Sequence, residues 1–362
     1  MQLPLPQPST SMMIVVGLNA AYQKRFVLPD ASSLVPGQVH RAASLSTGVG
    51  GKGQNVFLAL TQCLQQDSVE CAQFLGQGPE GDAVADLLQA SSTSAPLTVR
   101  TQAPLRTCTS IVARDATTEL IEPSGEISSG EWNELLQRLD STITGKGTSS
   151  QPPRAVSHLV FMGSVPPGCP PTAYADIYDR VVQRNREDED EDAPVVRCMI
   201  DSVVGLEDLL PRLVSSTVAI LKINRDELLR LANCNHNDSL LDAIQHLPAY
   251  YREQLTAIAI TDGSQPAHIW YKQQLYHIPI PTLDDDASNT PLYPIGAGDA
   301  VAAGCVAAWK DDPVAAFQYG LACGSASCLM EDNSMFSLDR VESLLQQITA
   351  TVVGDGVEQS QS

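Results

Sequence analysis

Val218–Leu231 reads VAILKINRDELLRL. An apolar run, VAILKIN, ends in an asparagine and gives way almost at once to an amphipathic segment, Asp226–Leu231. A run that is apolar along its length, rather than at alternate positions, predicts a strand covered on both faces. Four more such runs occur: Met12–Leu18 (MMIVVGL), His158–Gly163 (HLVFMG), Val195–Asp201 (VVRCMID) and Leu255–Thr261 (LTAIAIT). Amphipathic segments lie between or after them at Asn55–Gln65, Glu80–Gln89, Pro171–Arg184 and Ala300–Trp309. This β-then-α rhythm predicts an α/β fold with a doubly wound, mostly parallel sheet and helices on both faces. Two regions break the rhythm. Tyr22–Leu45 and Thr98–Glu122 carry alternating patterns such as TCTSIVARD and TTELIE, so stretches of about 20–45 and 98–122 are expected to pair as a small accessory sheet over one edge. Residues 12–350 then form one domain between a flexible segment at 1–11 and a flexible tail at 351–362. Glu187–Asp192 (EDEDED) reads as a solvated loop.

The chain has 362 residues, enough to bury a core without disulfides or a structural metal. A hydrophobic content of 43% excludes wholesale disorder. Acidic residues outnumber basic ones 42 to 22, and the resulting charge of −20 repels phosphate backbones, which excludes nucleic acid as a partner. Any anionic substrate must then be held by a few local cations and backbone N–H groups. The nine cysteines are scattered without a C-x-x-C, as free thiols of a reducing compartment would be. No apolar stretch approaches the ~18 residues of a membrane span, and MQLPLPQPSTS lacks the basic and apolar regions of a secretory signal. The expected location is the cytoplasm.

Five segments carry chemistry. Gly48–Asn55, GVGGKGQN, contains G-x-G-x-x-G, but HRAASLST before it is not the buried strand a dinucleotide site needs. Nor is it a P-loop, since Ser46 stands where the first Gly belongs and Gly53 follows the Lys. Glycines that admit a ligand to the backbone, a lysine and a following helix start suit an anion; a plain Gly-rich turn is the alternative. Gly296-Ala297-Gly298-Asp299 enters an apolar helix, leaving open N–H groups beside a carboxylate. That suits a general base next to an arriving phosphoryl group, or merely an N-terminal Asp with Gly for close packing. Lys222–Glu227, KINRDE, sits at a strand's carboxyl end, where ligands of open α/β sheets gather. Asn224 and Glu227, one turn apart, suit a hydrated Mg²⁺, though on these residues alone a helix cap is the simpler reading. Gly163–Gly168 (GSVPPG) and Thr261-Asp262-Gly263 read as β–α turns.

In this order the five segments resemble the signatures of the PfkB (ribokinase-like) carbohydrate kinase family, over nearly the whole chain. GLNAAYQKRF, GGKGQN and GSVPPG are most similar to its 1-phosphofructokinase and tagatose-6-phosphate kinase group. The resemblance implies a kinase that uses ATP and Mg²⁺ to phosphorylate a sugar or sugar phosphate, with the accessory strands as a β-lid that also joins a homodimer. It implies Asp299 as catalytic base, with Gly296, Ala297 and Gly298 as the anion hole. Asn224 and Glu227 would organise Mg²⁺ through water and the ATP phosphates beside Lys222, while Thr261 and Gly263 would contact the nucleotide. Gly50, Gly51, Lys52 and Asn55 match the sugar-side segment, and Arg106 falls where phosphosugar kinases bind the substrate's phosphate. The sugar half departs from the pattern. Gln23 stands where the family commonly has an Asp for sugar hydroxyls, Cys108 and Ser110 replace an Asn and a Lys, and Ile295 precedes GAGD. These departures keep open a kinase of an unphosphorylated sugar or nucleoside, or a non-catalytic binding protein on the same fold.

Overall fold

The computed structural model describes residues 11–29, 32–64, 68–91, 97–114, 116–145, 154–187, 195–283 and 292–353. The strands are β1 (Met12–Val16), β2 (Ala21–Val27), β3 (Ser44–Gly50), β4 (Val69–Gln77), β5 (Thr98–Pro104), β6 (Thr107–Val112), β7 (Thr117–Ile121), β8 (Val156–Met162), β9 (Arg197–Asp201), β10 (Val218–Asn224), β11 (Ala257–Asp262), β12 (Gln265–Tyr271), β13 (Gln274–Ile278) and β14 (Thr351–Val352). The helices are α1 (Lys52–Leu64), α2 (Pro79–Ser91), α3 (Ser129–Thr144), α4 (Ala173–Glu187), α5 (Leu206–Leu209), α6 (Arg225–Leu231), α7 (Leu240–His246), α8 (Ala249–Gln254), α9 (Ala297–Ala308), α10 (Pro313–Ser327) and α11 (Leu338–Leu345).

The five apolar runs become five neighbouring strands, β11-β10-β9-β8-β1, every pair parallel. Their unbroken apolarity follows from burial on both sides. Ile14 and Val16 of β1 pack into one core with Leu135 of α3 and Tyr178 of α4. Val15 faces the opposite core, with Leu60 of α1 and Phe317 of α10. Strands β4 and β5 extend the sheet in parallel beyond β1, and the antiparallel β12, β13 and β14 close its other end to give ten strands.

A second, separate sheet of four strands, β3-β2-β6-β7, is the small sheet expected as the β-lid. Its boundaries differ from the expected ones. Thr98–Pro104 is not in the lid: as β5 it pairs with β4 in the main sheet, burying Val99 and Thr101. Alternation marks a strand with one wet face, and an edge strand of the large sheet has one too. The lid instead takes in Ser44–Gly50, paired along its length with β2. Strand β4 hides from a search for apolar runs because VECAQFLGQ contains Glu70 and Gln73, although eight of its nine residues are buried. Gln73 is satisfied there, accepting from Gln54 and donating to Thr98. Of the expected tail, Thr351 and Val352 pair with β13. Residues 1–10, 354–362 and Asp188–Asp192 of the acidic run lie outside the described residues.

All nine cysteines are free thiols. Among the described residues no helix is long and apolar enough to cross a membrane.

Candidate active site

The carboxyl ends of β1, β8, β9 and β10 and the first turns of α1 and α9 converge on one region. Helix α1 is seated there by glycine. A Cβ on Gly53 would lie 2.2 Å from the Gly17 Cα, so the helix start can rest on the exit of β1 only without a side chain. Gly51 turns the chain into the helix at φ +101°, a left-handed backbone that other residues rarely adopt. Buried Gln54 locks the junction by donating to the Gly17 carbonyl at 2.7 Å.

Lys52, the first residue of α1, donates through Nζ to Asp201 Oδ1 at 2.8 Å, and Lys222 Nζ donates to Asp201 Oδ2 at 2.5 Å. Burial alone would raise the Asp201 pKa, but the two ammonium groups and their hydrogen bonds outweigh it and hold the carboxyl below its ordinary value. For Lys52 burial works downward, and the charge and hydrogen bond of Asp201, helped by Asp299 and Glu227, push its pKa up. Asp201 was not among the residues anticipated. Its signal was there: an ionisable residue closing the apolar run RCMID at the ligand end of a strand.

Asn55, three residues after Lys52 on the same face of α1, donates through Nδ2 to Asp299 Oδ2 at 2.8 Å. Asp299 is buried in the first turn of α9. Desolvation, reinforced by Asp201, raises its pKa to about 6 against the opposing influence of Lys52, Asn55 and Lys222. Gly296 caps α9 at φ +84°, and its carbonyl accepts from Ser334 Oγ at 3.0 Å. A Cβ on Gly298 would lie 3.4 Å from Lys222 Nζ, so that ammonium reaches the helix start.

Asn224 and Glu227 form a full capping box on α6. Asn224 Oδ1 accepts from the Glu227 N–H at 2.8 Å, and Glu227 Oε2 accepts from the Asn224 N–H at 2.9 Å. Among the described residues no three His, Cys, Asp or Glu side chains are grouped to hold a metal. Thr261 lies beside Asn224 in the β10–β11 register. Gly263, at φ +57°, turns a β-hairpin into β12, so TDG is not the β–α turn expected of it.

On the lid, Gln23 is buried and donates through Nε2 to Ser110 Oγ at 2.7 Å. The two departures from the resembled pattern thus satisfy each other as a neutral pair. Its Oε1 would lie 3.3 Å from a Cβ on Gly50, the last residue of β3. Arg106 ties the lid to the exit of β1, donating to the carbonyls of Asn19 at 2.8 Å and Ala20 at 3.3 Å. Lys52, Arg106, Asn19, Ser164, Asp201 and Glu227 line one cavity of about 300 Å³.

The chain matches the pfkB family carbohydrate kinase over residues 14–334. No curated protein matches the sequence. Among solved structures, Escherichia coli phosphofructokinase-2 in complex with fructose-6-phosphate is 17% identical, with a TM-score of 0.69 over 93% of this chain and 99% of that one. A Thermotoga maritima protein described as a possible 1-phosphofructokinase is 19% identical, with a TM-score of 0.70 over 95% of this chain and 100% of that one. Ribokinase from Thermotoga maritima is 14% identical, with a TM-score of 0.61 over 93% and 99%. At such identities the likeness concerns the fold, which is ribokinase-like.

Proposed function

This chain belongs to the pfkB family of carbohydrate kinases, ATP-dependent enzymes acting on a hydroxyl group, and from that premise we propose that its acceptor is a sugar phosphate. Fructose 1-phosphate, fructose 6-phosphate and tagatose 6-phosphate define the type. The observation that carries the reading is that Lys52 and Arg106 line one cavity in a protein of net charge −20. A phosphate held between them brings the sugar toward Asp299, whose neighbour Asn55 stands one turn from Lys52.

Asp299 acts as general base. Asn55 fixes the carboxylate through Oδ2, and the attacking hydroxyl gives its proton to the other oxygen. Burial keeps that carboxylate basic enough to take the proton near neutral pH. The N–H groups of Gly296, Ala297 and Gly298, with Lys222 beside them, receive charge developing on the transferred phosphoryl group. The donor set fits a nucleotide's phosphates: an ammonium at a helix start whose glycines leave the backbone open. It also fits Mg²⁺, which prefers oxygen ligands and keeps several waters. Glu227 would hold the ion through its shell of waters, with Asn224 orienting the Glu227 carboxylate through the capping box. When bound, MgATP supplies the phosphoryl group and the metal offsets its charge. Thr261 and Gly263 would contact the nucleotide.

The lid leaves Leu45, Leu120 and Ile121 more than half exposed, which supports a homodimer joined through it, to be tested by sedimentation. Nine free thiols suit the cytoplasm. One observation favours an unphosphorylated acceptor instead: the Gln23–Ser110 pair is neutral and turned into the lid. A coupled ADP-release assay with MgATP over phosphorylated and neutral sugars separates the two. Turnover on a phosphosugar is expected, and turnover on neutral acceptors alone overturns the assignment.

A further inference from the structure

Arg25 sits on β2 with its side chain turned inward, only 4% exposed. Its Nη2 donates to Asn333 Oδ1, and its guanidinium lies 5.7 Å from the centroid of the Tyr293 ring. Its Nε is buried without a hydrogen-bond partner among the described residues. Burial lowers the Arg25 pKa, while Glu331, Asp332 and Tyr293 work to raise it. A buried cation with one donor unsatisfied is expensive to keep, and its location gives a reason for keeping it. Tyr293 stands three residues before Gly296. Asn333 precedes Ser334, which is wholly buried at φ +58° and donates to the Gly296 carbonyl. A Cβ on Gly296 would lie 2.7 Å from Ser334 Oγ and 3.3 Å from the Asn333 Cβ. The two segments that Arg25 touches are therefore the approach to α9 and the brace against its cap.

We infer that Arg25 is a positioning residue, which clamps the cap of α9 to the lid and so holds the anion hole and Asp299 in register with a sugar beneath the lid. This rests on the assignment of the α9 start as the site of phosphoryl transfer. Arg25 touches neither substrate nor phosphate in this role. It acts through Asn333, Ser334 and Gly296.

The test compares Arg25→Ala, Asn333→Ala and the double variant, with kcat and KM measured separately and folding followed by thermal melts. Misplacement on the scale of 1 Å can cost ~10²-fold in rate, so kcat should fall ~10–10²-fold while both KM values stay within about twofold. The double variant should be no slower than Arg25→Ala, because both changes cut the same link. Asn333→Ala leaves the buried arginine in place and keeps the test open if Arg25→Ala does not fold. Unchanged kcat in Asn333→Ala, a loss confined to KM, or additive losses in the double variant would each overturn the inference. If Asp299→Asn proves fully active, the site assignment itself fails; an inactive Asp299→Asn beside a normal Asn333→Ala removes only the clamp.

Discussion

Replacing Asp299 by Asn should make the protein slower and more stable at once. The substitution keeps the shape of the side chain and an oxygen for Asn55 Nδ2, but removes the charge and the ability to take a proton. The Asp299 pKa lies at about 6 against an ordinary 3.8, and at ~1.4 kcal/mol per pH unit the ionised carboxylate costs the folded state about 3 kcal/mol. The sign follows from proton binding. Between pH 4 and 6, roughly, the folded chain holds this proton more tightly than the unfolded chain, so stability falls as pH rises. Above that range the full penalty is present. Asp299→Asn should therefore gain up to ~3 kcal/mol at pH 8 and nothing near pH 4, read from urea unfolding at a series of pH values. Loss of general-base catalysis should lower kcat by ~10²–10⁴, and the wild-type kcat should climb through a pH of about 6 to a plateau. A variant less stable than wild type at pH 8, or equally shifted at every pH, would refute the claim that desolvation governs this carboxylate. Full activity would remove it from the mechanism.

Asp201→Asn should destabilise by ~3–5 kcal/mol, chiefly through Lys222, whose side chain is 6% exposed against 43% for Lys52; a loss under ~1 kcal/mol in urea unfolding would show that the lysines relax into water. Lys52→Ala should raise KM for a phosphosugar ~10-fold or more, as expected of one charge-assisted hydrogen bond, and barely change it for a neutral sugar. Equal effects on both would count against a phosphate role. Gly53→Ala sets a methyl against the Gly17 backbone and should cost at least ~1–3 kcal/mol in denaturant melts. Ser128→Ala, which breaks the α3 capping box outside the cavity lining, should cost ~1 kcal/mol with kinetics unchanged.

Much of this protein is written locally. Unbroken apolar runs show that a strand is covered on both faces, because each residue contributes its own hydrophobicity wherever the strand finally lies. The capping box at Asn224 and Glu227 depends on neighbours within three positions, whereas Gly53 and Gly296 are required by Gly17 and Ser334, far away along the chain. Strand order, the assignment of Thr98–Pro104 to the main sheet and the boundaries of the lid are not local either, since an alternating pattern records one wet face and not which sheet provides the dry one. The same limit applies to charge. Asp201 is an ordinary strand-end aspartate until Lys52, 149 residues away, and Lys222, 21 residues away, are brought to its two oxygens. Gln23 and Ser110 look like two separate losses until folding closes the 87 residues between them into one hydrogen bond. Burial and pairing energies belong to groups that meet in space, and only the packed chain establishes which groups those are.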